Sequence, residues 1–122
     1  MTLLKDLIVR TYQKFACAFS GLIAGVRYDI SITIQVILAL LSLIFFVYLK
    51  IGTIEWLFVI SAIFLVLITE YLNSAVEDVC DLLVKKYDLH VKEIKDIAAA
   101  AVLLAALYAV IIAVVITAGR LL

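Results

Sequence analysis

Apolar positions at Leu3, Leu4, Leu7, Ile8, Tyr12, Phe15, Phe19, Leu22, Ile23 and Val26 recur at helical spacing, interleaved with Lys5, Asp6, Arg10 and Lys14. The pattern predicts an amphipathic surface helix over residues 1–28, lying at a membrane interface. A cleaved signal peptide needs a continuous apolar core, which these charges interrupt. From Ile30 the pattern changes, and the stretch to Leu49 carries no charge. It is long enough to cross a hydrocarbon core of about 30 Å. Lys50-Ile51-Gly52-Thr53 then reads as a very short turn, and Trp56 suits an interfacial aromatic belt. A second membrane helix is expected over 55–81 and a third over 96–118. Between them, Leu82 to Asp96 carries Lys85, Lys86, Lys92 and Lys95.

Composition agrees with this pattern and removes other classes. The chain has 122 residues, 68% hydrophobic content and no proline, and its mean hydropathy is +1.29. These values place it outside the soluble range, as a single all-α integral membrane domain over 1–122. Ten basic residues balance ten acidic ones, so no net field attracts nucleic acid, and nucleic acid is not an expected partner. Cys17 and Cys80 are isolated, which suggests neither a disulfide framework nor a zinc site.

The basic residues set an expected orientation. Lys5, Arg10, Lys14 and Arg27 precede the first span and four lysines separate the second from the third, whereas only Lys50 and Arg120 lie on the other side. By the positive-inside rule the N-terminus and the 82–96 segment are cytoplasmic, and the C-terminus lies opposite.

Within the second span, Glu70, Asn73, Glu77 and Asp81 fall within an arc of roughly 80° on one helical face. Glu70 directly follows the apolar run Leu57 to Thr69, and an ionisable group at that depth is a functional hypothesis by default. The topology brings Asp29, Lys95 and Asp96 to much the same level as Glu77. Carboxylates without His or Cys partners favour a hard cation such as Mg²⁺, which is bound through one or two carboxylates plus substrate phosphates. A nearby lysine is a usual phosphate partner. Asp29, Glu77 and Lys95 therefore suit a metal-bound nucleotide, although no glycine-rich phosphate loop is present. Partial desolvation of Glu70 suits it to act as a general base. Two other readings of these residues stay open at this point: carboxylates that bond helices together, and a proton or ion relay. Asp78, Asp88 and His90 read as helix-end or surface residues, and Tyr87 equally as an interface anchor or a nucleotide contact.

The motif Glu70-x-x-Asn73-Ser74-Ala75-x-Glu77-x-x-x-Asp81, followed by Lys95-Asp96-x-Ala98-Ala99-Ala100-x-Val102-Leu103, resembles the signature of the small prokaryotic diacylglycerol kinases, a family that includes undecaprenol kinases. The resemblance implies a homotrimer in the bacterial inner membrane that transfers the γ-phosphate of MgATP to a lipid hydroxyl. Carried over residue by residue, it makes Glu70 the catalytic base and Asp29 and Glu77 the metal ligands. The nucleotide set it implies is Arg10, Cys17, Asp29, Asn73, Glu77, Asp81, Lys86, Tyr87, Asp88, Lys95 and Asp96. The lipid side would comprise Glu70, Ser31, Thr33, Gln35 and Ala99. Several positions depart from the family pattern: Asp29 replaces a usual Glu, Cys17 stands where an aromatic is frequent, and Ile30-Ser31-Ile32-Thr33 replaces a more polar run. Ala99 tilts the likeness toward the undecaprenol branch. The alternative from another class is a non-catalytic family member acting as a proton or ion relay or as a scaffold.

Overall fold

A computed structural model describes residues 2–122, and they form four helices. These are α1 (Thr2–Tyr28), α2 (Ile30–Tyr48), α3 (Thr53–Leu83) and α4 (Leu89–Leu121). The last three are long and apolar enough to cross a membrane.

Short local devices break the chain where the apolar pattern breaks. At Asp29 the backbone opens to an extended conformation, and Asp29 Oδ1 accepts from the backbone N–H groups of Ser31 (2.9 Å) and Ile32 (3.4 Å), starting α2. Thr33 braces the same corner, its hydroxyl lying 2.6 Å from the Val26 carbonyl and 3.1 Å from that of Asp29. Between α2 and α3, Lys50 takes the left-handed conformation (φ 55°) that commonly ends helices. Glu55 reaches back to accept from the Gly52 N–H at 3.0 Å, which is the carboxylate half of a capping box. Asp88 begins α4 by accepting from His90 N–H (2.8 Å) and Val91 N–H (3.1 Å). That cap starts α4 at Leu89, eight residues before the charge-free run begins at Ile97.

The pairing of α3 with α4 is the most extensive in the molecule. It is antiparallel: Asp81 pairs with Lys95 at one end, Glu55 with Arg120 at the other, and the hydroxyls of Ser61 and Tyr108 meet at 3.1 Å between them. Buried Ala62 and Ala105 allow close approach of the two helices. A core of Phe46, Ile51, Val59 and Ile116 closes the end near the α2–α3 turn, and half-buried Trp56 packs against it. Large side chains such as Leu41, Ile44, Leu103, Leu104 and Val115 point outward, as expected where the solvent is hydrocarbon. With 31 residues, α3 is about 46 Å long. That exceeds a hydrocarbon core of about 30 Å, so one end of α3 projects from it. The excess is about 16 Å, or about eleven residues, comparable to the polar end of α3 that carries Asn73, Glu77 and Asp81.

Candidate functional site

Every member of the polar stripe lies on α3, because a continuous helix keeps positions three and four apart on one face. Burial grades along it. Glu70 is 6% exposed and Asn73 8%, whereas Glu77 and Asp81 are exposed. Asn73 Nδ2 donates to Glu77 Oε1 at 3.2 Å, and this fixes the amide with its oxygen turned inward. That Asn73 Oδ1 is buried and has no partner, an orphaned acceptor of the kind that calls for a ligand or water.

Helices α1 and α2 bring Asp29 to this face. Tyr71, next to Glu70, donates its hydroxyl to the Leu22 carbonyl of α1, and the Asp29 N–H bonds the Gly25 carbonyl one turn on, which joins the Asp29 corner to the Glu70 end of α3. Asp29 thus belongs to the corner that α1 and α2 make beside the start of the stripe. Among the described residues no three His, Cys, Asp or Glu side chains lie close enough to cage a metal by themselves. Asp29 spends Oδ1 on its helix cap. Its second carboxylate oxygen is left over, as is most of the Glu77 carboxylate.

On the α4 side, Lys95 Nζ donates to Asp81 Oδ1 at 2.5 Å. Lys92 Nζ donates to Asp96 Oδ2 at 2.6 Å. Each bond holds its ammonium above the usual lysine range. These four residues precede the charge-free part of α4, which begins at Ile97.

An apolar cavity of about 920 Å³ opens between α1, α2 and α3, lined by residues including Leu22, Val26, Val36, Phe64, Ile68 and Tyr71, on the α3 face that carries Tyr71 rather than the stripe. A smaller one of about 350 Å³ lies between α2, α3 and α4, with Gln35 and Ser42 on its wall.

Residues 16–117 match the family model of prokaryotic diacylglycerol kinase. The chain belongs to that family. No curated protein matches the chain at a significant level. Membership of the diacylglycerol kinase family implies a lipid kinase with ATP as phosphate donor, and the matched segment contains Asp29, the whole α3 stripe and the Lys95-Asp96 pair.

The remaining sequence-derived candidates are scattered. Arg10 precedes the matched segment. It and Cys17 are exposed on α1, about 28 Å and 18 Å along the helix from Asp29. Lys86 and Tyr87 are exposed in the α3–α4 connection, and Asp88 uses its carboxylate as the α4 cap. Gln35 faces the smaller cavity, Ala99 is exposed on α4, and Ser31 meets Asp29 through its backbone N–H. The hydroxyl of Thr33 is occupied at the α1–α2 corner.

Proposed function

We propose that this chain is an ATP- and Mg²⁺-dependent lipid kinase that phosphorylates a membrane-embedded alcohol, diacylglycerol or undecaprenol, at the cytoplasmic face of the inner membrane. The observation that carries the reading is the grading of one stripe, from a buried carboxyl at Glu70 to exposed carboxyls at Glu77 and Asp81, with Lys95 paired to Asp81. A lipid alcohol and a water-soluble nucleotide approach from these two different environments.

In this reading the acceptor's chains occupy the cavity under α1, which lies on the membrane surface, and its hydroxyl reaches Glu70. Glu70 takes the hydroxyl proton as the oxygen attacks the γ-phosphorus. The bond from that phosphorus to the β-phosphate oxygen breaks, leaving ADP and a lipid phosphate. Lys95, steered by Asp81, faces the phosphates, and the unpartnered Asn73 Oδ1 supplies an acceptor to the nucleotide side. Asp29 and Glu77 offer an all-oxygen donor set that fits Mg²⁺, an ion that commonly takes one or two carboxylates and completes its shell with water and phosphate oxygens. Bound Mg²⁺ would neutralise charge on the transferring phosphoryl group. The family's expected trimeric assembly belongs to the same proposal.

The test is ATP consumption by purified protein in lipid bilayers, with and without each alcohol. ATP use that depends on a lipid alcohol, with label from the γ-phosphate in the lipid product, supports the reading. Ion flux without ATP use would replace it by a relay.

A further inference from the structure

The aromatic ring of Tyr71 packs against the backbone of α1 at Gly25. A Cβ built at Gly25 would lie 2.8 Å from Tyr71 Cζ and 3.0 Å from its hydroxyl oxygen, closer than real side chains tolerate. In the same contact the Tyr71 hydroxyl donates to the Leu22 carbonyl at 2.7 Å. Leu22 and Gly25 are one turn apart on one face of α1, so the ring lies along a notch that only glycine leaves open. Helix α1 has no buried residue. Among the described residues this is the one side-chain hydrogen bond between α1 and α3.

The contact stands at a sensitive point. Tyr71 follows Glu70 in sequence, and the Gly25 carbonyl accepts from the Asp29 N–H at 3.0 Å. The ring is therefore one residue from one carboxylate and one helical turn from another. It also walls the 920 Å³ cavity together with Leu22 and Val26.

We infer that Tyr71 is a positioning residue that latches α1 onto α3 through the Gly25 notch, setting the depth of the apolar cavity. The inference rests on the reading of that cavity as the lipid acceptor's site. Without the latch, α1 is joined to the rest of the fold through the Asp29 corner and its packing on α2, which leaves its tilt over the cavity loosely set.

The experiment has two arms. In the first, spin labels at the native Cys17 and at an introduced Ala75→Cys, both exposed, report the α1–α3 distance in bilayers, in a Cys80→Ala background diluted with unlabelled chain. The parent gives one narrow distance distribution. Gly25→Ala and Tyr71→Ala each shift or broaden it, and Gly25→Ala adds nothing in the Tyr71→Ala background. In the second arm, Gly25→Ala raises the apparent KM for the lipid alcohol at least about 10-fold and leaves that for MgATP within about threefold. Tyr71→Phe, which keeps the ring and loses one neutral hydrogen bond, costs only about fivefold. Gly119→Ala adds a methyl to a helical glycine that meets nothing and serves as control. An unchanged distance in Gly25→Ala overturns the latch, as do independent effects of the two substitutions. If the parent phosphorylates no lipid alcohol, the acceptor reading fails while the distance arm still decides the latch.

Discussion

Lys95 Nζ sits 2.5 Å from Asp81 Oδ1, tying the start of α4 to the last turn of α3. Both side chains face water, so the pair adds little to stability. Its consequence is to hold the ammonium at the Asp81 end of the stripe. Lys95→Met should therefore leave the thermal midpoint nearly unchanged while weakening nucleotide binding at least about tenfold. Calorimetric titration beside a thermal scan separates the two. The hydrogen bond raises the Lys95 pKa, so its contribution is complete below the ordinary lysine value and fades only as pH rises through the higher folded one. Between about pH 6 and pH 9 the Lys95 ammonium should stay charged.

Glu77→Gln keeps the shape of the side chain and its place beside Asn73 but removes the charge. Phosphotransfer should fall to background at ordinary Mg²⁺ and recover in part as Mg²⁺ is raised. Unchanged activity at ordinary Mg²⁺ would remove Glu77 from the metal set.

Asp29 has two separable jobs. As the α2 cap, its loss in Asp29→Ala should cost about 0.5–2 kcal/mol of stability, measured by unfolding in detergent. Asp29→Asn keeps a capping oxygen, so it should hold stability within a few tenths of a kcal/mol while losing activity with the charge. Asp29→Glu should be tolerated or improve turnover, since it restores the longer family acid. A loss as large as that of Asp29→Ala would mean that the corner has closed around the shorter side chain.

Lys50 is the one non-glycine residue with positive φ among those described. A left-handed conformation costs an ordinary residue about 1 kcal/mol or more. Lys50→Gly should therefore hold or raise the thermal midpoint and leave turnover unchanged, because the α2–α3 turn lies at the far end of α3 from Glu70.

Much of this was legible in the sequence because hydrophobic runs and helical periodicity are local. The charge-free stretch from Ile30 and the shared face of Glu70, Asn73, Glu77 and Asp81 both follow from spacing alone. The caps were partly legible. Asp88 reads as a helix-end charge, but Asp29, weighed as a metal and nucleotide ligand, also precedes a helix by one residue and could have been read as a cap. Trp56 reads from the sequence as an interfacial aromatic, while its packing against the Phe46–Ile116 core was not legible, since that contact joins separate helices. The Tyr71–Gly25 notch was not legible, since it joins positions 46 apart with no periodicity linking them. The inward turn of Asn73 Oδ1 likewise depends on which way an amide settles once Glu77 holds its nitrogen.

The division of the stripe into an acceptor end and a nucleotide end is tested most directly at Glu70. A base within reach of the attacking hydroxyl contributes typically 10²–10⁴-fold, while Glu77 stands two turns, about 10 Å, away. Turnover with the lipid alcohol and affinity for nucleotide should be measured on the same bilayer preparation of Glu70→Gln. The account expects turnover to fall at least about 10²-fold with nucleotide affinity held within a few-fold; a parallel collapse of nucleotide binding would contradict it and move Glu70 to the nucleotide site.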